Sequence, residues 1–273
     1  VIIYSADNAC VQAKGAILDL NYLHRDHKPK LAYRYIQGED NSALPLVMFL
    51  GGYRSDMMGT KATYLEEQCA ARGQSFLRFD YSGHGSSDGE FEDGTIGAWL
   101  DDAKDIFDHI ARDPAIIIGS SMGGWLALLL ARARAEQIHG LIGIAAAPDF
   151  TEDMFQTRLN PAQQKQLMTD GIVYVENDYS DEPYAFSKMF YEEAKTHLLL
   201  TKPQKINFPM RLIQGMKDAD VPWEMAVKIQ KNYSGEDLDI AFIEDGDHRL
   251  SRPEDLELIN REVIALSEQA AQK

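Results

Sequence analysis

The sequence predicts an α/β protein in which a doubly wound, mostly parallel sheet carries a helical insertion late in the chain. Short apolar segments alternate with amphipathic helical segments, which is typical of a sheet with helices on both faces. The alternation stops only between Pro148 and Pro209. A chain of 273 residues is long enough for one large domain of this type with an insertion.

The individual elements follow from local patterns. Gly73 ends one predicted helix, and Pro253 opens the last one as a first-turn proline would. The helix over residues 96–112 places its apolar side chains at helical spacing. In chain order we predict strands at 31–36, 46–50, 75–79, 115–118, 141–145, 210–214 and 239–243, with helices at 61–72, 96–112, 125–134 and from 253.

The interruption divides the chain into a core of residues 1–148 and 210–273 and an insertion of residues 149–209. Helical patterns cover 161–168 and 184–194 of this insertion. It could be a cap whose inner face forms an apolar pocket over an active site, or an extra helical layer with its own small core. Its place between the predicted strands at 141–145 and 210–214 favours the cap, and we expect Met189 and Phe190 to contact a substrate.

Composition excludes several classes of partner and compartment. The net charge of −16 opposes attraction to nucleic acid or an anionic membrane, although the acidity could serve solubility alone. No apolar run approaches the roughly 18 residues that span a bilayer. Cys10 and Cys69 have no motif spacing and form no disulfide framework. We therefore expect a cytoplasmic protein, or a mitochondrial one if a leader has been removed before Val1.

A serine nucleophile elbow is the most informative motif. An apolar run from Ala115 ends in Gly119-Ser120-Ser121-Met122-Gly123, and a helical run follows at once. Such a strand–turn–helix strains the backbone of the central serine and exposes its hydroxyl at a helix N-terminus. The motif frame selects Ser121, because Ser120 has Ile118 and Met122 at the offsets where glycine is required. The alternative is a glycine-rich turn without chemistry.

A serine nucleophile needs a base, and the base needs an acid that orients it. In folds with this elbow the acid and then the histidine follow the serine along the chain, each in the loop after a late strand. His248 follows the last predicted strand, and Asp218 follows the strand before it. Asp220 is the rival acid, and it could instead cap the next helix.

Other residues near this pattern have simpler explanations. Asp245 and Asp247 crowd His248 in sequence, and we interpret them as turn formers. His84 lies in a glycine-rich loop, where a structural histidine bonded to the backbone is expected rather than a base.

The oxyanion of a tetrahedral intermediate needs hydrogen-bond donors. One is expected to be the backbone N–H of Met122, the residue after the nucleophile. The other is expected from the glycine-containing loop after the second predicted strand, at Tyr53, with Gly52 beside the substrate. The alternative for this loop is a plain tight turn.

No cofactor or metal is expected. The histidines and cysteines lack the spacing of metal ligands. The loop with Gly83 and Gly85 lacks the third glycine and the helix of a dinucleotide fingerprint.

Five segments carry a more specific resemblance. They are Phe49 to Met57, Arg78 to Gly89, Gly119 to Leu126, Gly215 to Asp218 and Val221 to Trp223. Together they resemble the abhydrolase-domain-containing protein 10 family of the α/β-hydrolase superfamily. The resemblance implies an α/β-hydrolase fold with a cap, no cofactor, and catalysis by Ser121, Asp218 and His248. The family's mammalian member is a mitochondrial acyl-protein thioesterase and acyl-glucuronide esterase, which implies thioester or ester hydrolysis.

The sequence therefore predicts a serine hydrolase that acts on small-molecule or acyl-protein esters and thioesters through an acyl-enzyme on Ser121. A C–C bond hydrolase, a peroxidase-like hydrolase or a peptidase could use the same three residues. A non-catalytic binding protein on this scaffold would not need to keep all three. Oligomeric state cannot be inferred from these patterns.

Overall fold

The computed structural model describes residues 20–40, 42–111, 114–176 and 183–272. Cys10 lies outside this part of the chain. The described residues form twelve strands and eight α-helices. In chain order these are β1 (Asn21–Leu23), β2 (Leu31–Ile36), β3 (Leu46–Leu50), α1 (Thr60–Ala71), β4 (Phe76–Phe79), α2 (Ile96–Ile110), β5 (Ala115–Ser120), α3 (Met122–Ala133), β6 (Ile138–Ile144), α4 (Phe150–Asp153), α5 (Pro161–Asp170), β7 (Ile172–Val175), β8 (Tyr184–Ser187), α6 (Lys188–Ala194), β9 (Gln204–Lys205), β10 (Met210–Gly215), α7 (Glu224–Asn232), β11 (Tyr233–Ser234), β12 (Leu238–Ile243) and α8 (Pro253–Ala271).

The central sheet is mostly parallel, as predicted. Its eight strands lie in the order β1-β2-β4-β3-β5-β6-β10-β12. The β1–β2 and β2–β4 pairs are antiparallel, and all other neighbours in the sheet are parallel. The carboxyl ends of β5, β10 and β12 therefore meet at one edge of the sheet, which is where such folds bind ligands.

Alternation along the strands produces two separate cores, one on each face of the sheet. Ile116 belongs to one core and its neighbour Ile117 to the other. The first core is shared with α1 and α8, and the second with α2, α3 and α7. Because β5 is fully buried between these layers, its sequence is continuously apolar rather than alternating.

The insertion between β6 and β10 contains a β-hairpin as well as helices. The helix predicted over 184–194 is wrong in its first turn: Tyr184–Ser187 is β8, paired antiparallel with β7. Helix α6 begins only at Lys188, because the Ser187 side chain accepts the Phe190 backbone N–H and caps the helix. Pairing with the preceding strand β7 thus overrides the local helical pattern.

Several hydrogen bonds fasten the insertion to the core. The Tyr53 hydroxyl donates to the Ala185 carbonyl at 2.9 Å. The Trp125 indole N–H donates to the His197 carbonyl at 3.1 Å. The Glu193 carboxylate accepts the Gly97 N–H, with both oxygens at 3.2 Å. The insertion is therefore seated on the helices and loops that surround the elbow.

Candidate active site

Ser121 has the strained backbone that the elbow motif predicts. Its φ and ψ angles are 56° and −122°, in the left-handed half of the backbone map, where non-glycine residues are uncommon. Two hydrogen bonds hold this conformation against the neighbouring strand: Ser121 N–H donates to Ile144 O at 2.9 Å, and Ala147 N–H donates to Ser121 O at 3.0 Å. The strain is thus imposed by the sheet, and it places the serine at the start of α3.

Two glycines of the motif are required by close backbone packing. A Cβ atom on Gly119 would lie 2.2 Å from the Gly123 carbonyl oxygen. A Cβ atom on Gly123 would lie 2.2 Å from the Leu50 carbonyl oxygen. Helix α3 is therefore packed tightly against β3 and β5. It begins at Met122, three residues before the predicted start at Trp125.

The structure brings Ser121, His248 and Asp218 into one hydrogen-bonded chain. His248 Nε2 lies 3.1 Å from Ser121 Oγ, and His248 Nδ1 lies 2.8 Å from Asp218 Oδ2. The Asp218 side chain is fully buried, whereas that of His248 is 16% exposed. This is the arrangement in which an imidazole can take a proton from a serine while a carboxylate fixes its tautomer.

Asp218 is the acid that contacts His248, and its position is fixed by its own loop. Its Oδ1 accepts the backbone N–H groups of Asp220 and Val221 at 2.9 and 2.8 Å. The buried Gln214 amide donates to Oδ2 at 3.1 Å. Asp220 does not cap α7, whose N-cap position at Trp223 has no side-chain hydrogen bond.

The two residues predicted to bind the oxyanion both line the cavity beside Ser121. Neither the Tyr53 nor the Met122 backbone N–H donates a hydrogen bond to any group in the described part of the chain. A Cβ atom on Gly52 would lie 3.3 Å from Ser121 Cβ, so glycine lets this loop lie against the elbow. The positions are compatible with an oxyanion hole, which stays a prediction.

Tyr53 also anchors an aromatic cluster beneath the insertion. Its ring contacts those of Phe91, Trp99, Phe150 and Phe190, with centroid distances of 4.9 to 6.0 Å. Burial raises the pKa of the Tyr53 phenol above its ordinary value. The phenol therefore stays protonated and keeps its hydrogen bond to the insertion.

A cavity of about 860 Å³ opens above Ser121 between the core and the insertion. The insertion contributes six apolar or aromatic residues to its wall, Phe150, Met154, Val175, Tyr184, Ala185 and Phe186, and four polar ones, Asp153, Thr157, Arg158 and Glu176. The core contributes the elbow, the Tyr53 loop, the start of α1, the acid loop with the first turns of α7, and the His248 loop. An apolar wall of this size suits an acyl chain.

Met189 and Phe190, predicted as substrate contacts, are not part of this wall. Met189 is 50% exposed, and Phe190 is buried in the aromatic cluster. The correction follows from the boundary between β8 and α6, because the hairpin and not the helix faces the cavity. Met154 and Phe150, four residues apart at the start of the insertion, line the cavity instead.

The basic residues of the cavity wall were not predicted, and two of them, Lys61 and Arg158, contact loops of the site. The Lys61 ammonium donates to the Arg249 carbonyl, next to His248, and burial lowers its pKa to about 8. Arg158 lies at the end of a π-helical turn, Met154–Arg158, and reaches the loop that carries Asp218. Neither residue belongs to a motif, so only the folded arrangement identifies them.

His84 is a structural histidine, as expected. It is 4% exposed, and its Nδ1 lies 3.2 Å from the Ser82 carbonyl oxygen. Burial lowers its pKa to about 4. Asp247 and Asp245 also match their prediction as turn formers: Asp247 accepts the Leu250 N–H, and Asp245 pairs with Arg252.

One group in the described part of the chain has the composition of a metal site. Ligand atoms of Asp218, Asp220 and His248 lie within 4.8 Å of one another. Both Asp218 oxygens already accept hydrogen bonds from amides and from the imidazole. The group therefore coincides with the serine–histidine–aspartate chain and does not form a separate centre. Among the described helices, none combines the length and apolar character needed to cross a bilayer.

The sequence is similar to characterised proteins over most of its length. A family model described as serine aminopeptidase, S33, matches residues 43–176. The mitochondrial palmitoyl-protein thioesterase ABHD10 of Homo sapiens is 39% identical over 241 residues, which is 88% of this chain and 77% of the human protein. The Mus musculus protein is also 39% identical, over 80% of its length.

The fold is also similar to solved structures of proteins with comparable sequence identity. The mouse alpha/beta hydrolase domain-containing protein 10 superposes with a TM-score of 0.85 and 37% identity, covering 92% of this chain and 98% of the mouse chain. A hydrolase from Agrobacterium vitis S4 gives a TM-score of 0.87 and 34% identity, covering 91% and 98% of the two chains. These similarities extend well beyond the elbow motif.

Proposed function

The chain belongs to the ABHD10 family of α/β hydrolases, and on that premise we propose that it hydrolyses carboxylic thioesters and esters through an acyl-enzyme on Ser121. In the proposed cycle Ser121 Oγ attacks the acyl carbonyl carbon while His248 takes the hydroxyl proton. The Tyr53 and Met122 N–H groups stabilise the oxyanion. His248 then protonates the leaving thiolate or alkoxide. A water molecule, deprotonated by His248, attacks the acyl-enzyme, and the acid leaves as the proton returns to Ser121 Oγ.

One observation carries the proposal: His248 lies within hydrogen-bond distance of Ser121 on one side and of Asp218 on the other. A serine hydroxyl is a poor nucleophile unless a neutral imidazole contacts it. The fully buried carboxylate can stabilise the imidazolium that forms when His248 takes the proton.

The acyl group is proposed to be a long fatty acyl chain. The insertion places an apolar wall over Ser121, and the cavity of about 860 Å³ has room for many methylene groups. The curated relatives are named palmitoyl-protein thioesterases. We propose both small-molecule and protein thioesters as substrates. In both, the acyl part of the substrate, and not its leaving group, is proposed to bind the apolar wall.

The experiment that tests the proposal is covalent labelling with an alkyl fluorophosphonate. The wild-type protein should lose activity with stoichiometric attachment of the reagent at Ser121. Ser121→Ala should not label, whereas Ser120→Ala should. Labelling at any other residue, or palmitoyl-thioester hydrolysis retained by Ser121→Ala, would show that the proposed nucleophile is wrong.

A peptidase is the second candidate, because the matching family model is described as a serine aminopeptidase. The same three residues could cleave an amide. Matched substrates with one acyl group, as thioester, ester and anilide, separate the two functions by kcat/KM. An aminopeptidase would prefer a free α-amino group and an amide bond, whereas the proposed thioesterase would prefer an unbranched acyl thioester.

We also propose a cellular compartment for the protein. The curated relatives are named as mitochondrial proteins. We propose the same compartment for this chain if its source is eukaryotic, and the cytoplasm otherwise. Fractionation of source cells with an antibody against the protein decides between them.

A further inference from the structure

We propose that Arg158 of the insertion is a positioning residue that holds the loop carrying Asp218. The position of the insertion on the core and the orientation of the catalytic acid are thereby coupled. The inference rests on the proposed function of the Ser121–His248–Asp218 chain. Arg158 lies 60 residues before Asp218 in sequence, and none of the sequence motifs includes it.

Arg158 contacts main-chain atoms of the acid loop. Its Nη2 donates to the Ala219 carbonyl at 2.9 Å and to the Asp220 carbonyl at 2.6 Å. Its Nη1 lies 3.4 Å from Asp220 Oδ1, a longer contact that is half exposed to solvent. The guanidinium is therefore held mainly by two carbonyl groups and only secondarily by an ion pair.

The same two peptide groups hold Asp218 from the other side. The peptide whose carbonyl is that of Ala219 carries the N–H of Asp220, and the next peptide carries the N–H of Val221. Both N–H groups donate to Asp218 Oδ1, at 2.9 and 2.8 Å. Each peptide thus lies between a guanidinium at its carbonyl end and a carboxylate at its N–H end.

This arrangement fixes and polarises the acid loop. A cation at the carbonyl oxygen orients the peptide and strengthens the N–H as a donor to the carboxylate. With Oδ1 engaged by these donors, Oδ2 faces His248 at 2.8 Å and also accepts the Gln214 amide at 3.1 Å. Arg158 therefore acts on the imidazole through the loop, without touching substrate-reactive atoms.

The π-helical turn lets Arg158 extend from the insertion to the loop that carries Asp218. Leu159 N–H donates to Met154 O at 3.0 Å, the wide turn of a π-helix, which often occurs at functional sites. Met154, at the start of this turn, and Arg158, at its end, both line the cavity. An acyl chain that packs on Met154 thus contacts the same turn that supports the acid.

The test compares Arg158→Met and Arg158→Lys with the wild-type protein, using an acetyl thioester that is too short to fill the cavity. We expect kcat to fall on the order of 10- to 100-fold in Arg158→Met, because a small misplacement of catalytic groups is costly, with KM changed by less than about twofold. Arg158→Lys should be intermediate, since an ammonium cannot present the planar fork of a guanidinium. Added guanidinium ion should restore part of kcat in Arg158→Met and none in the wild type.

Two controls separate positioning from simpler effects. Asp220→Asn removes the ion-pair partner but leaves both carbonyl contacts, so its kcat should fall much less than that of Arg158→Met. Arg134→Met removes an arginine that pairs with Asp108 outside the cavity. Its kcat should equal that of the wild type, and added guanidinium ion should not change it. The far-downfield proton resonance of the His248 Nδ1–H, followed by NMR, should broaden or shift in the Arg158 variants only.

The outcomes are decisive in each direction. An unchanged kcat in folded Arg158→Met, or a loss that appears only in KM and grows with acyl length, would make Arg158 a wall residue and overturn the proposal. If Arg158→Met does not fold, Arg158→Lys becomes the test. A wild-type kcat together with an unshifted His248 Nδ1–H resonance in Arg158→Lys would then overturn the proposal. Fluorophosphonate should still label Ser121 in both Arg158 variants, although more slowly than in the wild type. Failure of the Arg158 proposal is therefore distinguishable from failure of Ser121 as the proposed nucleophile.

Discussion

Ser121 Oγ and His248 Nε2 lie 3.1 Å apart, although 127 positions separate the two residues in the chain. The contact exists because β5 and the loop after β12 end at the same edge of a parallel sheet. Ser120, the neighbour of Ser121, is the last residue of β5 and is 8% exposed. Two adjacent serines thus have different surroundings because of one strained turn, and we propose the catalytic role for Ser121 alone.

Replacement of the two serines should separate these roles. Ser121→Ala should lower kcat by roughly 10⁴-fold or more, because the proposed acyl-enzyme forms on the Ser121 hydroxyl. Ser120→Ala should keep most of the activity. Steady-state hydrolysis of a thioester by both purified variants measures the effect, and an inactive Ser120→Ala beside an active Ser121→Ala would reverse the assignment.

The two aspartates of the acid loop should differ in the same way. Asp218→Asn should cost on the order of 10²- to 10⁴-fold in kcat, because an amide favours the wrong imidazole tautomer. Asp220→Asn should cost far less, since its backbone N–H, and not its carboxylate, contacts Asp218. Equal losses in kcat would mean that His248 depends on both carboxylates.

Two methionines of the insertion provide a matched test of the acyl site. Met154 lines the cavity, whereas Met189 is 50% exposed outside it. In the wild type each added CH₂ should raise kcat/KM by up to about fourfold until the cavity is full, since burial contributes about 0.8 kcal/mol per CH₂. Met154→Glu should flatten this chain-length profile, and Met189→Glu should not. A flat wild-type profile from acetyl upward would remove the support for a long-chain substrate.

His84 should make the fold less stable in acid. Burial lowers its pKa from 6.5 to about 4, so the unfolded chain binds a proton in a range where the folded protein does not. The free energy of unfolding should fall as the pH falls from about 6.5 to 4, by up to roughly 1.4 kcal/mol per pH unit for this group.

His84→Phe isolates this contribution. The variant lacks the contact with the Ser82 carbonyl oxygen and should be less stable at pH 7. Because it cannot bind the proton, its deficit relative to the wild type should narrow between pH 6.5 and 4. Urea unfolding at several pH values gives both curves, and a deficit independent of pH would show that His84 titrates normally in the folded protein.

The core of the fold was predictable because its signals are local. Strands β2 and β3 match their predictions to the residue, since both are short, largely apolar segments bounded by turns. The Ser121, Asp218 and His248 positions follow from one motif and from chain order. The glycine pattern fixed the frame because Gly119 and Gly123 have no room for a side chain.

The insertion was less predictable, for physical reasons. Tyr184 and Phe186 have a helix-compatible spacing to the residues that follow, but a partner strand ending at Val175 makes them a hairpin. Contacts across this hairpin decide which side chains face the cavity, so the choice of Met189 and Phe190 could not be corrected from the sequence. Arg158 has no motif at all, because its acceptors are main-chain carbonyls that every residue possesses.

The Tyr53 hydrogen bond to Ala185 has a consequence for engineering. The residue whose amide we propose for the oxyanion also supports the insertion above the cavity with its ring and hydroxyl. Residues 149–209 are therefore not an exchangeable module. A chimera that received this segment from a relative would need the matching Tyr53 loop and acid loop as well, and substrate range in this family should change through all three together.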